Sequence, residues 1–183
     1  TLHTLLIMSY VLETERCRLR EIHPDDGPAM YDLNSDLEVI RFTGDGPFES
    51  PDAATEFLRN YDAYKKFGMG RWLVEKKDDS SILGWCGLKF LPEENQVDLG
   101  YRFFRKYWGQ GFATETARRC VEYGFEHLHL KRIIGRSAIA NEASVKVLEK
   151  CGLKFECFNH HFAEESVQFA MSLEDYRAFR LIR

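Results

Sequence analysis

The chain has 183 residues, 44% of them apolar and 30% charged, with a formal net charge of −4. That length buries a sizeable core within one domain, taken here as 1–183. A mildly acidic balance with no basic run gives no reason to expect nucleic acid as a partner.

The N-terminal run Leu5–Met8 is far too short to span a membrane, and no positive region or small-residue cleavage site marks a leader. Met8 is a candidate start, which makes residues 1–8 a candidate N-terminal extension. Cys17, Cys86, Cys120, Cys151 and Cys157 are odd in number, scattered and never spaced as CxxC. They read as buried thiols of a reducing, cytoplasmic protein, not as disulfides or metal ligands.

Arg16–Ile22 alternates Cys17 and Leu19 with arginines, which predicts a half-exposed first strand. His23-Pro24-Asp25-Asp26 stops it, and Asp25 or Asp26 is expected to cap a short helix running to Leu33. Asp36–Phe42 predicts a second short helical piece, ended by Thr43–Pro47. Ser50 as cap and Pro51 at the first helical position open a helix. Ala54, Phe57, Leu58, Tyr61 and Tyr64 carry it to Phe67. Arg71–Lys76 and Ile82–Phe90 predict two strands joined at Lys77–Ser81, and Pro92–Asn95 turns the chain again.

The central stretch is Gln96–Thr116. Val97, Leu99 and Tyr101 alternate with Asp98, Gly100 and Arg102, the period of a pleated strand. Gly109 and Gly111 allow a tight turn and leave its N–H groups unshadowed. Ala113, Ala117, Val121 and Phe125 then mark an amphipathic helix. A helix start offers unpaired N–H groups and a positive dipole end, so such a turn can hold a phosphate. A glycine turn before a helix is also plain punctuation. The lysine and hydroxyl pair of the nucleotide-hydrolase loop is missing, because Phe112 and Ala113 follow Gly111.

Arg132–Ile139 is the next predicted strand. Asn141–Ser144 opens a helix over Ala143–Cys151, stopped by Gly152. Leu153–Phe158 and Val167–Leu173 predict the last two strands, and Glu174–Arg183 a terminal helical turn. The order implies an α/β architecture, a mixed sheet with helices on both faces. No set of His, Cys, Asp and Glu has the spacing of metal ligands, so no metal is expected.

Trp108-Gly109-Gln110-Gly111-Phe112-Ala113, with Thr114 and Glu115 behind it, resembles motif A of the GNAT acyltransferase superfamily. Trp108 stands where most members carry Arg or Gln, and Tyr-Trp-Gly-x-Gly is the wording of the branch that acetylates N-terminal amines of ribosomal proteins. Leu12–Arg20 is similar to the family's opening strand, and Asn141-x-x-Ser144 through Glu149–Leu153 to its second signature. The resemblance implies the GNAT fold: a mixed, mostly antiparallel central sheet whose middle strands splay apart around the pantetheine arm. It implies acetyl-CoA as co-substrate, an amine acceptor, no membrane, and a monomer or homodimer. It also implies cofactor contacts at Phe103, Arg105, Trp108, Gly109, Gln110, Gly111, Phe112, Ala113, Thr114, Asn141 and Ser144, with an oxyanion met by a backbone N–H around Phe103.

Acetyl transfer needs a neutral amine, a place for charge on the carbonyl oxygen, and a hydrogen-bond or proton donor for the leaving thiolate. Asp98 is the candidate base; its other reading is a solvated carboxylate at a strand start. Glu93 and Glu94 look like turn residues, and His160 and His161 lie in a loop that borders the acceptor site in the family. Many members supply the acid from a tyrosine four residues before the final glycine, a position held here by Leu148. Ser144 is the substitute, with helix capping as its other role, and Asn141 is expected to bond the pantetheine amides or cap the same helix. Phe48, Trp72, Trp85 and Tyr101 are expected in the core instead of the acceptor pocket. Three readings follow: an acetyltransferase of protein N-terminal α-amines of the ribosomal-protein type; one acting on a small amine such as a polyamine, amino acid or aminoglycoside; or a catalytically silent acyl-CoA-binding module.

Overall fold

The computed structural model describes residues 9–159 and 165–182. Its strands are β1 (Tyr10–Glu13), β2 (Cys17–Glu21), β3 (Arg71–Lys76), β4 (Ile82–Leu91), β5 (Gln96–Phe103), β6 (Arg132–Ala138), β7 (Lys154–Asn159) and β8 (Ser166–Ser172). Between and after them come α1 (Gly27–Ser35), α2 (Leu37–Ile40), α3 (Pro51–Arg59), α4 (Ala63–Phe67), α5 (Phe112–Glu126), α6 (Glu142–Lys150) and α7 (Leu173–Leu181). All eight strands form one sheet in the order β1-β2-β3-β4-β5-β6-β8-β7. Every neighbouring pair is antiparallel except β5 and β6.

Neighbouring side chains on a strand point to opposite faces. On β3, Trp72 enters a core shared with Phe112, Ala117, Cys120 and Val121 of α5 and Leu148 of α6. Leu73 enters a second cluster, with Met30 and Leu33 of α1, Val39 of α2 and Leu58 of α3. Helices therefore cover both faces, as the pattern of elements implied.

Four local expectations are corrected. The opening strand is one arm of a hairpin: β1 pairs with β2 around a turn where Thr14 Oγ1 accepts from Cys17 N at 2.9 Å. Neither aspartate caps α1. Asp26 instead takes a bidentate pair from Arg20 at 2.8 Å on each oxygen and accepts from His23 N at 2.7 Å. The helix from Ser50 stops at Asn60, whose side chain bonds back to Glu56 O at 2.9 Å, and restarts as α4. The break accompanies two tyrosines turned onto the backbone of one residue: Tyr61 Oη accepts from Arg71 N at 2.9 Å, and Tyr64 Oη donates to Arg71 O. The chain end forms a nine-residue helix in place of a single turn, set by a capping box between Ser172 and Asp175.

The feature that positions the site lies mid-sheet. β5 and β6 meet at one pair, Asp98 with Ile134. β5 stays paired with β4 as far as Phe103, and β6 with β8 as far as Ala138. Past that one rung the two parallel strands share no pairing, so the backbone groups each directs at the other face a gap.

Candidate active site

From β5 the chain makes a short 3₁₀ turn at Arg105–Tyr107 and enters α5 through Trp108–Gly111. Trp108 anchors the turn, its Nε1 donating to Phe103 O at 2.7 Å. Gly109 and Gly111 hold φ of 72° and 83°, the left-handed region that side chains disfavour. A Cβ on Gly109 would meet nothing within 4 Å, and one on Gly111 only Arg16 Nη2 at 3.5 Å. The turn is thus open in front. Gly111 brings no side-chain cap to the 15-residue α5, so the N–H groups of its first turn are left for a ligand. These features fit the diphosphate of a CoA thioester.

A second element braces the turn. Arg16, in the β1–β2 hairpin, donates from Nη1 and Nη2 to Gln110 O at 3.1 Å and from Nε to Glu115 at 2.7 Å. Its guanidinium lies 4.1 Å over the Phe112 ring. Thr14 Oγ1 and Arg16 N also donate to Glu115, at 2.6 and 2.9 Å. Burial pushes the Glu115 carboxyl up, but the bonds from Thr14 and Arg16 outweigh it and hold the group below its ordinary value. Sequence reading passed over this latch, because nothing local links residues 99 positions apart.

The expected cofactor residues divide by how they can act. The Phe112 side chain is buried, which leaves its backbone as the part able to meet a ligand; Ala113 and Thr114 are half-buried. Gln110 folds its side chain onto Lys106 O at 2.9 Å, and Arg105 pairs with Asp36 at 3.1 Å. Asn141 caps α6, its Oδ1 accepting from Ser144 N at 3.2 Å.

A cleft of ≈ 560 Å³ runs from the gap, with Phe48, Trp85, Asp98, Tyr101, Arg136 and Ser144 among its lining residues. Of the four aromatics expected in the core, Trp72 alone is fully buried, at 1% exposure. Trp85 lies between two guanidinium groups, Arg71 and Arg102, each 5.4 Å from its ring. Alternation gives the face a strand residue takes; it does not say whether a helix covers that face there.

Asp98 pairs with Arg71, whose Nη1 also donates to Gly87 O at 2.6 Å and Asp98 O at 2.8 Å. Gly100 makes room for this, since a Cβ there would come within 2.6 Å of the guanidinium. Asp45 takes Arg102 at 2.9 Å, and Arg102 also donates to Asn34 at 2.6 Å. Across the gap, the Tyr101 hydroxyl donates to Ser144 O at 2.8 Å and lies 3.1 Å from Ser144 Oγ. Leu148 is 1% exposed and occupies the space a side chain on Gly135 would need. His160 and His161 lie outside the described residues. Among the described residues no three His, Cys, Asp or Glu form a set able to hold a metal ion, and no helix is long and apolar enough to cross a membrane.

A sheet opened mid-way beside a glycine turn and a helix start is the arrangement that the GNAT resemblance implies for a transferase working from an acyl-CoA. The family model described as Acetyltransferase (GNAT) domain matches residues 16–154, and the chain belongs to that family. Bacillus subtilis YoaA, an uncharacterized N-acetyltransferase, is 33% identical over 148 residues, 80% of this chain and 84% of its own length. A candidate ribosomal N-acetyltransferase of the same organism, YdaF, is 33% identical over 75 residues, 40% of this chain and 41% of its own. The crystal structure of spermidine N-acetyltransferase from Vibrio cholerae, in complex with CoA and spermine, superposes with a TM-score of 0.74 at 21% identity. That match covers 88% of this chain and 98% of the other. The protein is an N-acetyltransferase that uses acetyl-CoA as co-substrate.

Proposed function

We propose that the acceptor is the α-amine at the N-terminus of a peptide or protein, ribosomal proteins included, and that residues 1–183 act as one domain. The observation that carries this reading is the state of the cleft's acids. Among the described lining residues both carboxylates, Asp98 and Asp45, are engaged by arginines. Among these described residues no unpaired acid is left to hold a polycation, or to strip a proton from an amine as basic as lysine. An α-amine titrates at about 8 against about 10.4 for lysine, so roughly a tenth of it is already neutral at pH 7. The wording at Tyr107-Trp108-Gly109 and the likeness to YdaF support the same class.

Acetyl-CoA supplies an acetyl group activated as a thioester. The turn at Trp108–Thr114 binds its diphosphate through backbone N–H groups, with Phe103 and Asn141 beside the gap for the acyl arm. A β5 N–H near Phe103 receives the carbonyl oxygen, an interaction that contributes a few kcal/mol when preorganised, about 3. Asp98, steadied by Arg71, orients the already neutral amine and takes only the proton that its nitrogen sheds as the new N–C bond forms, when that proton is far more acidic than one on a free ammonium. Ser144 donates a hydrogen bond to the leaving sulfur.

The test is a panel of Ser-, Ala- and Met-starting peptides alongside spermidine and free lysine, with acetyl-CoA, following release of free thiol. Turnover on the peptides is expected. Turnover confined to spermidine or to side-chain amines would overturn the reading, and tight acetyl-CoA binding with no turnover would mark a silent binding module.

A further inference from the structure

We infer that Tyr101 is a positioning residue for the leaving-group end of the reaction, forming with Ser144 a hydroxyl pair that stabilises negative charge in the gap between β5 and β6. The inference rests on the reading that Ser144 faces the leaving sulfur.

Tyr101 stands on β5 beyond the last rung to β6, and its hydroxyl reaches across to the first turn of α6. It has one proton and two acceptors in range, Ser144 O at 2.8 Å and Ser144 Oγ at 3.1 Å. With the proton on the carbonyl, the phenol oxygen accepts the serine O–H. Rotated toward Oγ, the phenol donates to the serine and frees the serine hydrogen for a third atom. Two O–H groups turn; no bond breaks and no charge is left on the tyrosine. Hydrogen bonds in such a chain polarise one another, so the serine becomes a better donor when the phenol backs it.

The phenol is suited to remain a donor. Burial raises its pKa well above the ordinary value, the bond to Ser144 opposes this, and Cys151, Cys86 and Asp98 add to the rise. Among the described residues Ser144 Oγ has no other hydrogen-bond partner. A tyrosine that merely tied β5 to α6 would need only the carbonyl. Leu148 presents no polar atom to this end of the gap, so the hydroxyl comes from the strand.

Tyr101→Phe removes one oxygen and leaves the ring in place. Expected is a fall in kcat of about tenfold, the worth of one hydrogen bond near a charge, with the KM for acetyl-CoA unchanged. A second readout needs no turnover: the thiolate absorbance of bound CoA, titrated in the ultraviolet, should show the thiol pKa rising by about one unit in Tyr101→Phe and in Ser144→Ala. The double variant should be no worse than the poorer single one, because the pair acts as a unit. If Ser144→Ala leaves kcat and the thiol pKa untouched, the serine reading fails and this inference with it. If Ser144→Ala is impaired while Tyr101→Phe matches wild type in both readouts, only the tyrosine is overturned. CoA affinity by calorimetry checks that the site is intact. Should Tyr101→Phe lose it, fluorotyrosine at position 101, a more acidic phenol, must lower the bound thiol pKa, and an unchanged value refutes the inference.

Discussion

The turn before α5 and the acceptor wall of the cleft treat charge in opposite ways. The turn leaves donors unspent: two glycines in left-handed conformations, a helix start without a side-chain cap, and an arginine drawing the Gln110 carbonyl to itself. The wall matches its arginines with carboxylates, leaving Lys89 and the Arg102 Nε outside the pairs among the described lining groups. Arg71 is matched by Asp98, Arg102 by Asp45 and Arg136 by Glu94, with arginine side chains only 15%, 8% and 8% exposed. One end therefore exerts a directed pull on an anion, while the other neutralises its arginines and keeps Lys89 as a cation outside the pairs. Selection of the acceptor falls to shape and single hydrogen bonds, and breaking one of those half-buried pairs leaves a charge without compensation.

Three variants test that contrast. The largest effect is expected for Gly111→Val, which places a branched side chain at a φ of 83° and in front of the first-turn N–H groups. Acetyl-CoA affinity should fall about a hundredfold, the equivalent of one or two charge-assisted bonds. Unchanged calorimetric affinity in a folded variant would remove the diphosphate from this turn. Next is Asp98→Asn, which should lower kcat/KM for the acceptor about tenfold while CoA affinity holds. A loss of CoA affinity with normal acceptor kinetics would erase the division between the two ends.

The smallest effect is expected for Arg16→Ala, about two- to fivefold in CoA affinity, the worth of a brace near a helix start. It also carries a pH signature. Glu115 is held below its unfolded value, so the latch stabilises fully above the ordinary carboxylate range, about 4.3, and fades as pH falls through the lower folded value. Melting temperatures of wild type and Arg16→Ala should differ near neutrality and converge in acid. A constant difference across pH would show that Arg16 acts by packing on Phe112 alone.

What sequence makes legible here is what lies within one local stretch. The turn at Gly109 and Gly111, the strand alternation through Tyr101, and the Asn141 cap each arise from neighbours along the chain, and each takes the place expected of it. Arg71 under Asp98, Arg16 on Glu115 and Tyr101 on Ser144 are separated by 27, 99 and 43 positions, and only the tertiary fold joins them. The helix break at Asn60 belongs with these. Its apolar spacing continues unbroken through Tyr61 and Tyr64, and the hydroxyl contacts with Arg71 that accompany the break lie outside the helix pattern. Phe48 and Trp85 line the cleft for the same reason: apolar character does not record where the covering helices stop.

The lone rung between Asp98 and Ile134 also has a mechanical meaning. A sheet of eight strands joined mid-way by one pair is two plates meeting at a seam, β1–β5 on one side and β6, β8 and β7 on the other. Strand pairing stiffens each plate but not the line between them. Along that line rigidity comes from what spans it: α5 packed beneath, the phenol of Tyr101 reaching α6, and whatever fills the opening. A molecule lying in the seam thus acts as a splint, and the stiffness of the enzyme becomes a property it shares with whatever occupies that line.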